Sequence, residues 1–175
     1  MNMPETLTAA LPFMLKYQGQ TVVIKYGGNA MTDETIKQSV LSDILLLKTM
    51  GINVVLVHGG GPAISEMLDK YDMPSKFIGG LRYTDEATAE LALAALSGMV
   101  NKSLVRDIQR LGGDAIGISG IDGRMIEVEQ LSEELGYVGK ITKINTEIIE
   151  RIAKTSAIPV IATAGVDVAG EIYNV

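Results

Sequence analysis

Twice in this chain an apolar strand runs directly into glycine, and that recurrence restricts the fold more than any other feature. Val54-Val55-Leu56-Val57-His58 enters Gly59-Gly60-Gly61-Pro62 and then a helical pattern; earlier, Thr21-Val22-Val23-Ile24-Lys25-Tyr26 enters Gly27-Gly28. Residues without Cβ let the backbone come close to a ligand. A helix opening at Pro62 aims unpaired N–H groups and the positive end of its dipole at the same turn. Between the two strands, Asp33 can cap a helix running to about residue 50, with Ile36, Val40, Ile44 and Leu47 on one stripe and Gly51 just past its end. Strand, helix and strand with short connections, rich in Val, Ile and Leu, predict parallel strands covered on both faces and a right-handed crossover.

The alternation continues along the chain. A helix is expected over 62–71, then a hairpin-like excursion around Gly79-Gly80, then a helix capped by Thr84 with Asp85 and Glu86 in its first turn. That helix extends to Leu111 with one break near Gly98. Residues 115–144 read as short strands forming an antiparallel patch at the sheet edge, with turns near Gly120-Ile121-Asp122-Gly123 and Gly136. A helix over 145–155 and a strand over 158–162 restore the pattern, and residues 171–174 begin another extended piece. Ahead of the first strand, Leu7, Leu11, Met14 and Leu15 place an amphipathic helix over 4–17, interrupted by Pro12. One domain is expected, preceded by an appended helix.

An excess of acidic over basic residues, 21 against 15, makes the net charge −6 and excludes a broad nucleic-acid surface, so any anion site is positive only locally. The chain has no cysteine. Disulfides and thiolate metal sites are thereby excluded, which suits a reducing compartment, and cytoplasm is the expectation. No early basic cluster precedes an apolar leader in 1–16, and no apolar run approaches the ~20 residues of a membrane span.

Two glycine turns at the carboxyl ends of neighbouring parallel strands lie where open α/β sheets hold ligands. One such turn alone is explained by tight packing, but the pair points to an anion site. Gly27, Gly28, Gly60 and Gly61 can offer backbone N–H donors, and Lys25 adds a mobile positive charge. This set suits phosphoryl transfer, which needs positioning and charge neutralisation more than covalent chemistry. Neither GxxxxGK[ST] nor GxGxxG is present. His58, the only histidine, reads as a structural residue beneath its turn, and with no cysteine a zinc site has little support. An acceptor that is already a carboxylate, with a pKa of about 4.3, needs no base; repulsion between two anions is the obstacle. Arg82 could fork onto a carboxylate. Asn101-Lys102 is either a buried polar pair or part of the site. Asp43, Glu90, Asp107 and Glu133-Glu134 read as solvated faces.

Val23-Ile24-Lys25-Tyr26-Gly27-Gly28-Asn29-Ala30-Met31, Val57-His58-Gly59-Gly60-Gly61-Pro62, Gly79-Gly80-Leu81-Arg82-Tyr83-Thr84, Val100-Asn101-Lys102, Gly117-Ile118-Ser119-Gly120, Gly136-Tyr137-Val138-Gly139, Ile158-Pro159-Val160-Ile161 and Tyr173-Asn174-Val175 together resemble the amino acid kinase family. The glycine turns are shared by its carbamate, aspartate, glutamate and UMP kinases; Gly-Leu-Arg points to the N-acetylglutamate branch. The resemblance implies an αβα sandwich with a mainly parallel sheet and transfer of the γ-phosphoryl of ATP, with Mg2+, to the side-chain carboxylate of N-acetyl-L-glutamate in arginine biosynthesis. It assigns Lys25 to stabilising the moving phosphoryl group, Gly27 and Gly28 to its oxygens, and Gly60, Gly61, Arg82 and Asn174 to the acceptor, with no metal ligand in this stretch.

By the same resemblance, residues 1–18 correspond to an N-terminal helix that interlaces homodimers into a hexamer in arginine-inhibited relatives, and 19–175 to the acceptor-binding lobe. Phe13 stands where those relatives commonly have tyrosine, and Ile121 where many have lysine. Family members continue beyond the equivalent of Val175 into a catalytic aspartate and a nucleotide lobe with a second lysine, so the stretch alone is expected to have little kinase activity. Two alternatives stand beside this one: a non-catalytic module binding acetylglutamate or a partner, and a related kinase with another acceptor.

Overall fold

A computed structural model describes residues 3–31 and 33–175. It is an α/β structure organised around a four-stranded, all-parallel sheet in the order β1 (Thr21–Tyr26), β2 (Asn53–His58), β8 (Ile158–Ala162), β5 (Ala115–Ser119). Around it run α1 (Met3–Tyr17), α2 (Glu34–Thr49), α3 (Gly61–Lys70), the hairpin β3 (Phe77–Ile78) with β4 (Leu81–Arg82), α4 (Glu86–Leu93), α5 (Asn101–Arg110) and α6 (Glu147–Ala153). The remaining strands, β6 (Ile126–Gln130), β7 (Gly139–Ile144), β9 (Ala164–Val166) and β10 (Ile172–Asn174), form a second sheet.

Period-two alternation sorts the strand residues into two cores. Val54 and Leu56 of β2 and Ile158 and Val160 of β8 pack with Leu41 and Ile44 of α2 and Leu104 and Ile108 of α5. On the opposite face Val55 and Ile161 meet Met125, Ile126, Val128 and Tyr173 in or just before strands of the second sheet, and Ala153 of α6. A third cluster joins Ile64 and Leu68 of α3 to Ala92, Ala95 and Leu96 at the carboxyl end of the main sheet.

Several expectations change. Residues 126–144 are not the edge of the parallel sheet but part of a separate one lying on its face, because β6 pairs with β7 and β9 while β5 pairs with β8. The first strand is covered on one face only: Val23 is 64% exposed. The stripe of α2 runs through Leu41 and Ile44, with Ile36 turned outward. Asp85, not Thr84, caps α4 by accepting from the Thr88 N–H at 2.8 Å, and Thr84 is buried with its hydroxyl donating to the Arg82 carbonyl at 2.9 Å. The interruption expected near Gly98 takes the form of a π-helix, residues 94–100, which joins α4 to α5. Asp107 is buried rather than solvated, because Arg106 donates twice to Oδ1 at 3.0 Å and the Lys37 ammonium pairs with Oδ2 at 2.9 Å. In α1, Leu11, Phe13 and Leu15 are exposed, and the side chain of Leu7 lies outside the described set.

Two glycines outside the site test how tightly the layers are set. A Cβ on Gly120 would stand 2.0 Å from the Ala164 carbonyl oxygen, whereas one on Gly98 meets nothing within 4 Å. Gly120→Ala is expected to destabilise the chain by about 1–3 kcal/mol through overpacking. Gly98→Ala should stabilise it by roughly 0.5–1 kcal/mol through helix propensity. Urea unfolding of the two variants checks both signs.

Candidate acceptor and phosphoryl site

The parallel register sets Tyr26 opposite His58 and Lys25 opposite Val57, so both glycine turns leave the sheet side by side. The Gly59 N–H reaches the Tyr26 carbonyl at 3.3 Å. His58 in turn lies opposite Ala162 of β8, and the Thr163 N–H donates to the His58 carbonyl at 3.3 Å. Three strand ends thus meet at one point.

A cavity of about 230 Å³ opens there. Gly59, Gly60 and Gly61 form one wall, Phe77 and Arg82 of the hairpin another, Ile64 and Leu96 an apolar side, and Thr163, Asn174 and Val175 the last. Gly60, Gly61, Arg82 and Asn174, the four that the resemblance assigns to an acceptor, all line this cavity. Lys25, Gly27 and Gly28 do not line this cavity; they stand on the adjacent strand end. Lys25 is exposed, with no ionic or hydrogen-bonded partner among the described residues, and by alternation it projects from the face of the sheet that carries Val57. Gly28 has φ +63°, a left-handed conformation that favours glycine.

Arg82 is 7% exposed. Its guanidinium lies over the Phe77 ring at 4.7 Å, donates from Nη1 to Ser75 Oγ at 2.5 Å, and from Nη2 to Ser65 Oγ at 2.8 Å and the Gly61 carbonyl at 3.1 Å. All of these partners are neutral, and no carboxylate pairs with it among the described residues. Burial pushes its pKa below the usual arginine range, yet a guanidinium stays charged in any protein. Three of its five N–H donors are used. A buried cation so placed is stabilised by an incoming anion.

The glycine wall is set from behind. A Cβ on Gly60 would stand 2.6 Å from Leu96 Cδ2 and 3.3 Å from Val100 Cγ2, both carried by the π-helix. The Gly60 and Gly61 N–H groups find no acceptor among the described residues, while the Gly60 carbonyl accepts from Ile64 N at 2.9 Å to open α3. His58 is fully buried, which lowers its pKa, with Nδ1 2.8 Å from the Gly59 carbonyl oxygen. Asn101, also fully buried, meets His58 Nε2 at 3.1 Å. The sequence reading thus places His58 correctly as structural and leaves Asn101 open; the fold makes the two one unit. Thr163, Leu96, Ser65 and Ser75 were not foreseen. Thr163 alone carried a signal, since it follows a strand whose end lies beside Gly59. Among the described residues no group of three or more His, Asp or Glu side chains could hold a metal ion.

Comparison with known proteins bears on this arrangement. Residues 20–175 match the amino acid kinase family. The chain is 67% identical over 174 residues to acetylglutamate kinase of Lactococcus lactis subsp. cremoris (strain MG1363), covering 99% of this chain and 62% of that protein. It is 52% identical to acetylglutamate kinase of Clostridioides difficile (strain 630), covering 97% of this chain and 60% of that one. Among solved structures it superposes on smu.665 from Streptococcus mutans UA159 with a TM-score of 0.80 at 31% identity, covering 88% of this chain and 62% of that one. The chain spans about three-fifths of the length of the curated relatives it matches. Its paired glycine turns sit inside a match that takes in every strand described above, and the chain belongs to the amino acid kinase family.

Proposed function

We propose that this chain supplies the acceptor side of a kinase that transfers the γ-phosphoryl group of ATP to the side-chain carboxylate of N-acetyl-L-glutamate, in arginine biosynthesis. The observation that carries this reading is the charge composition of the cavity: a buried Arg82 without a carboxylate partner, and no acidic side chain on any wall. A free α-amino acid would bring an ammonium group with nothing to neutralise it. N-acetylation replaces that charge with a neutral amide, which Asn174 can meet by hydrogen bonding, and an apolar methyl suited to the side formed by Ile64 and Leu96. The curated relatives at 67% and 52% identity bear the corresponding name.

In this reading Arg82 takes the α-carboxylate and the side-chain carboxylate points toward the glycine turns. Ionised at neutral pH, that carboxylate attacks without a general base. The barrier is repulsion and misalignment between two anions. Gly60 and Gly61 N–H groups, Gly27 and Gly28 N–H groups and the Lys25 ammonium distribute positive charge over the acceptor and the moving group, and Arg82 fixes the approach direction. Mg2+ would arrive on the nucleotide and supply neutralisation of phosphate charge, and no acidic side chain lines the cavity to hold it.

Residues 1–18 are assigned to oligomerisation and residues 19–175 to the acceptor lobe, with the nucleotide held chiefly by the part of the relatives' length outside the matched stretch. Exposed Leu11, Phe13 and Leu15 on α1 support a homodimer extended to a hexamer through that helix, with arginine as a feedback ligand. No described helix is long and apolar enough to cross a membrane; the compartment proposed is the cytoplasm.

Calorimetry on the 175-residue chain should detect N-acetyl-L-glutamate, with L-glutamate at least about tenfold weaker and Arg82→Gln weakening acetylglutamate roughly ten- to hundredfold. Equal affinity for the two ligands would sink the assignment. Binding without any turnover in the longer polypeptide would favour a non-catalytic module. In the polypeptide extended to the relatives' length, acyl phosphate trapped with hydroxylamine measures turnover. There Lys25→Ala should lower kcat about a hundredfold or more with KM for acetylglutamate little changed, whereas Arg82→Gln should act chiefly on KM. Identical kinetic signatures would refute this division of labour.

A further inference from the structure

We infer that Asn101 holds His58 as the Nδ1–H tautomer, and that His58 thereby turns the Gly59–Gly60 peptide so that the Gly60 N–H faces the acceptor cavity. The link to catalysis rests on the acceptor-site reading above; the tautomer and the peptide orientation do not.

The assignment starts at a lysine. Lys102 Nζ donates to Asn101 Oδ1 at 3.1 Å and to the Gly117 carbonyl at 2.8 Å. An ammonium cannot accept a hydrogen bond, so the atom it meets on Asn101 is the amide oxygen. Asn101 Nδ2 then lies on the other side, facing His58 Nε2 at 3.1 Å, the Val160 carbonyl at 2.9 Å and the Ile118 carbonyl at 3.2 Å. A nitrogen with two hydrogens faces three groups, of which two are carbonyls that can only accept. His58 Nε2 can join them only with its lone pair. Its proton therefore sits on Nδ1, which donates to the Gly59 carbonyl at 2.8 Å. Both side chains are fully buried, leaving no solvent to substitute for either partner.

The orientation of the turn follows from peptide planarity. In a trans peptide the C=O of one residue and the N–H of the next point in opposite directions, and the chain has no cis bonds. With the Gly59 C=O drawn to the imidazole, the Gly60 N–H is sent away from it, toward the side where residues 59–61 line the cavity. That N–H has no acceptor among the described residues. The Gly60 C=O is committed to Ile64 N, so the loop is held on both sides of the donor. His58 and Asn101 are positioning residues: neither lines the cavity, and both act through a backbone amide.

Because the chain has a single histidine, long-range 15N–1H NMR on the ligand-free 175-residue chain reads the tautomer without ambiguity. Nδ1 should appear as the protonated ring nitrogen and Nε2 as the unprotonated one. The reverse assignment overturns the inference. Asn101→Asp replaces the donor facing Nε2 with an acceptor and should put a proton on that nitrogen, shift the Gly60 amide resonance and weaken N-acetyl-L-glutamate binding about tenfold or more. Should that variant fail to fold, a second pair decides. His58→Asn keeps an amide donor near the place of Nδ1 and should retain the wild-type affinity, whereas His58→Gln moves the amide toward the place of Nε2 and should lose it. Equal affinities in the pair overturn the inference. A wild-type chain with the Nδ1–H tautomer that binds no acetylglutamate refutes the proposed acceptor and leaves the positioning intact. One that binds it with the Nε2–H tautomer does the opposite.

Discussion

Parallel pairing of β1 with β2, in the register that sets Tyr26 beside His58, is the constraint on which this end of the molecule depends. It delivers two glycine turns to the same level of the sheet, and the pairing of His58 with Ala162 adds a third strand end beside them. A slip of one residue would exchange the two faces of a strand. Lys25 would then turn toward the helices α2 and α5, and Tyr26, now buried with its hydroxyl on the Ala30 carbonyl at 2.5 Å, would turn out. Register is secured because Val54 and Leu56 have only one face on which the α2 and α5 side chains await them.

Around that frame the polar groups are divided between those that are satisfied and those left for a ligand. His58, Asn101 and Thr84 are buried and bonded, so they rigidify the backbone rather than react. The Gly60 and Gly61 N–H groups and the remaining donors of Arg82 have no acceptor among the described residues. In a chain of net charge −6 this concentrates positive potential into one small cavity. The overall charge says little about the site; the distribution of unpaired donors says a good deal.

The parts of this arrangement that were legible in the sequence are local ones. Strands ending in glycine, Asp33 as a cap and Gly51 beyond a helix each follow from what a few neighbouring residues can do. What was not legible depends on separations in the chain. Asp107 reads as a surface acid until Lys37, on another helix, is found beside it. Residues 94–100 look like a helix with a weak point at Gly98, whereas packing of Leu96 and Val100 against Gly60 accompanies a π-helical turn there. The second sheet escaped because the alternation of β6 specifies a half-buried strand but not which sheet it joins. Resemblance alone assigned Gly60, Gly61, Arg82 and Asn174 to an acceptor, and their convergence on one cavity is a property of the fold.

The central place of β8 between β2 and β5 also bears on how the chain is made. About one hundred residues separate His58 from Ile158, so the inner edge of β2 has no partner until nearly the whole stretch exists. At roughly 5–20 residues per second, a ribosome exposes Val54, Val55 and Leu56 for on the order of 5–20 s before β8 can fill the gap. An apolar, unpaired edge open for that long is a hazard for association with other nascent chains. The same strand that aligns the site therefore leaves β2 without its inner partner through most of the synthesis of this stretch.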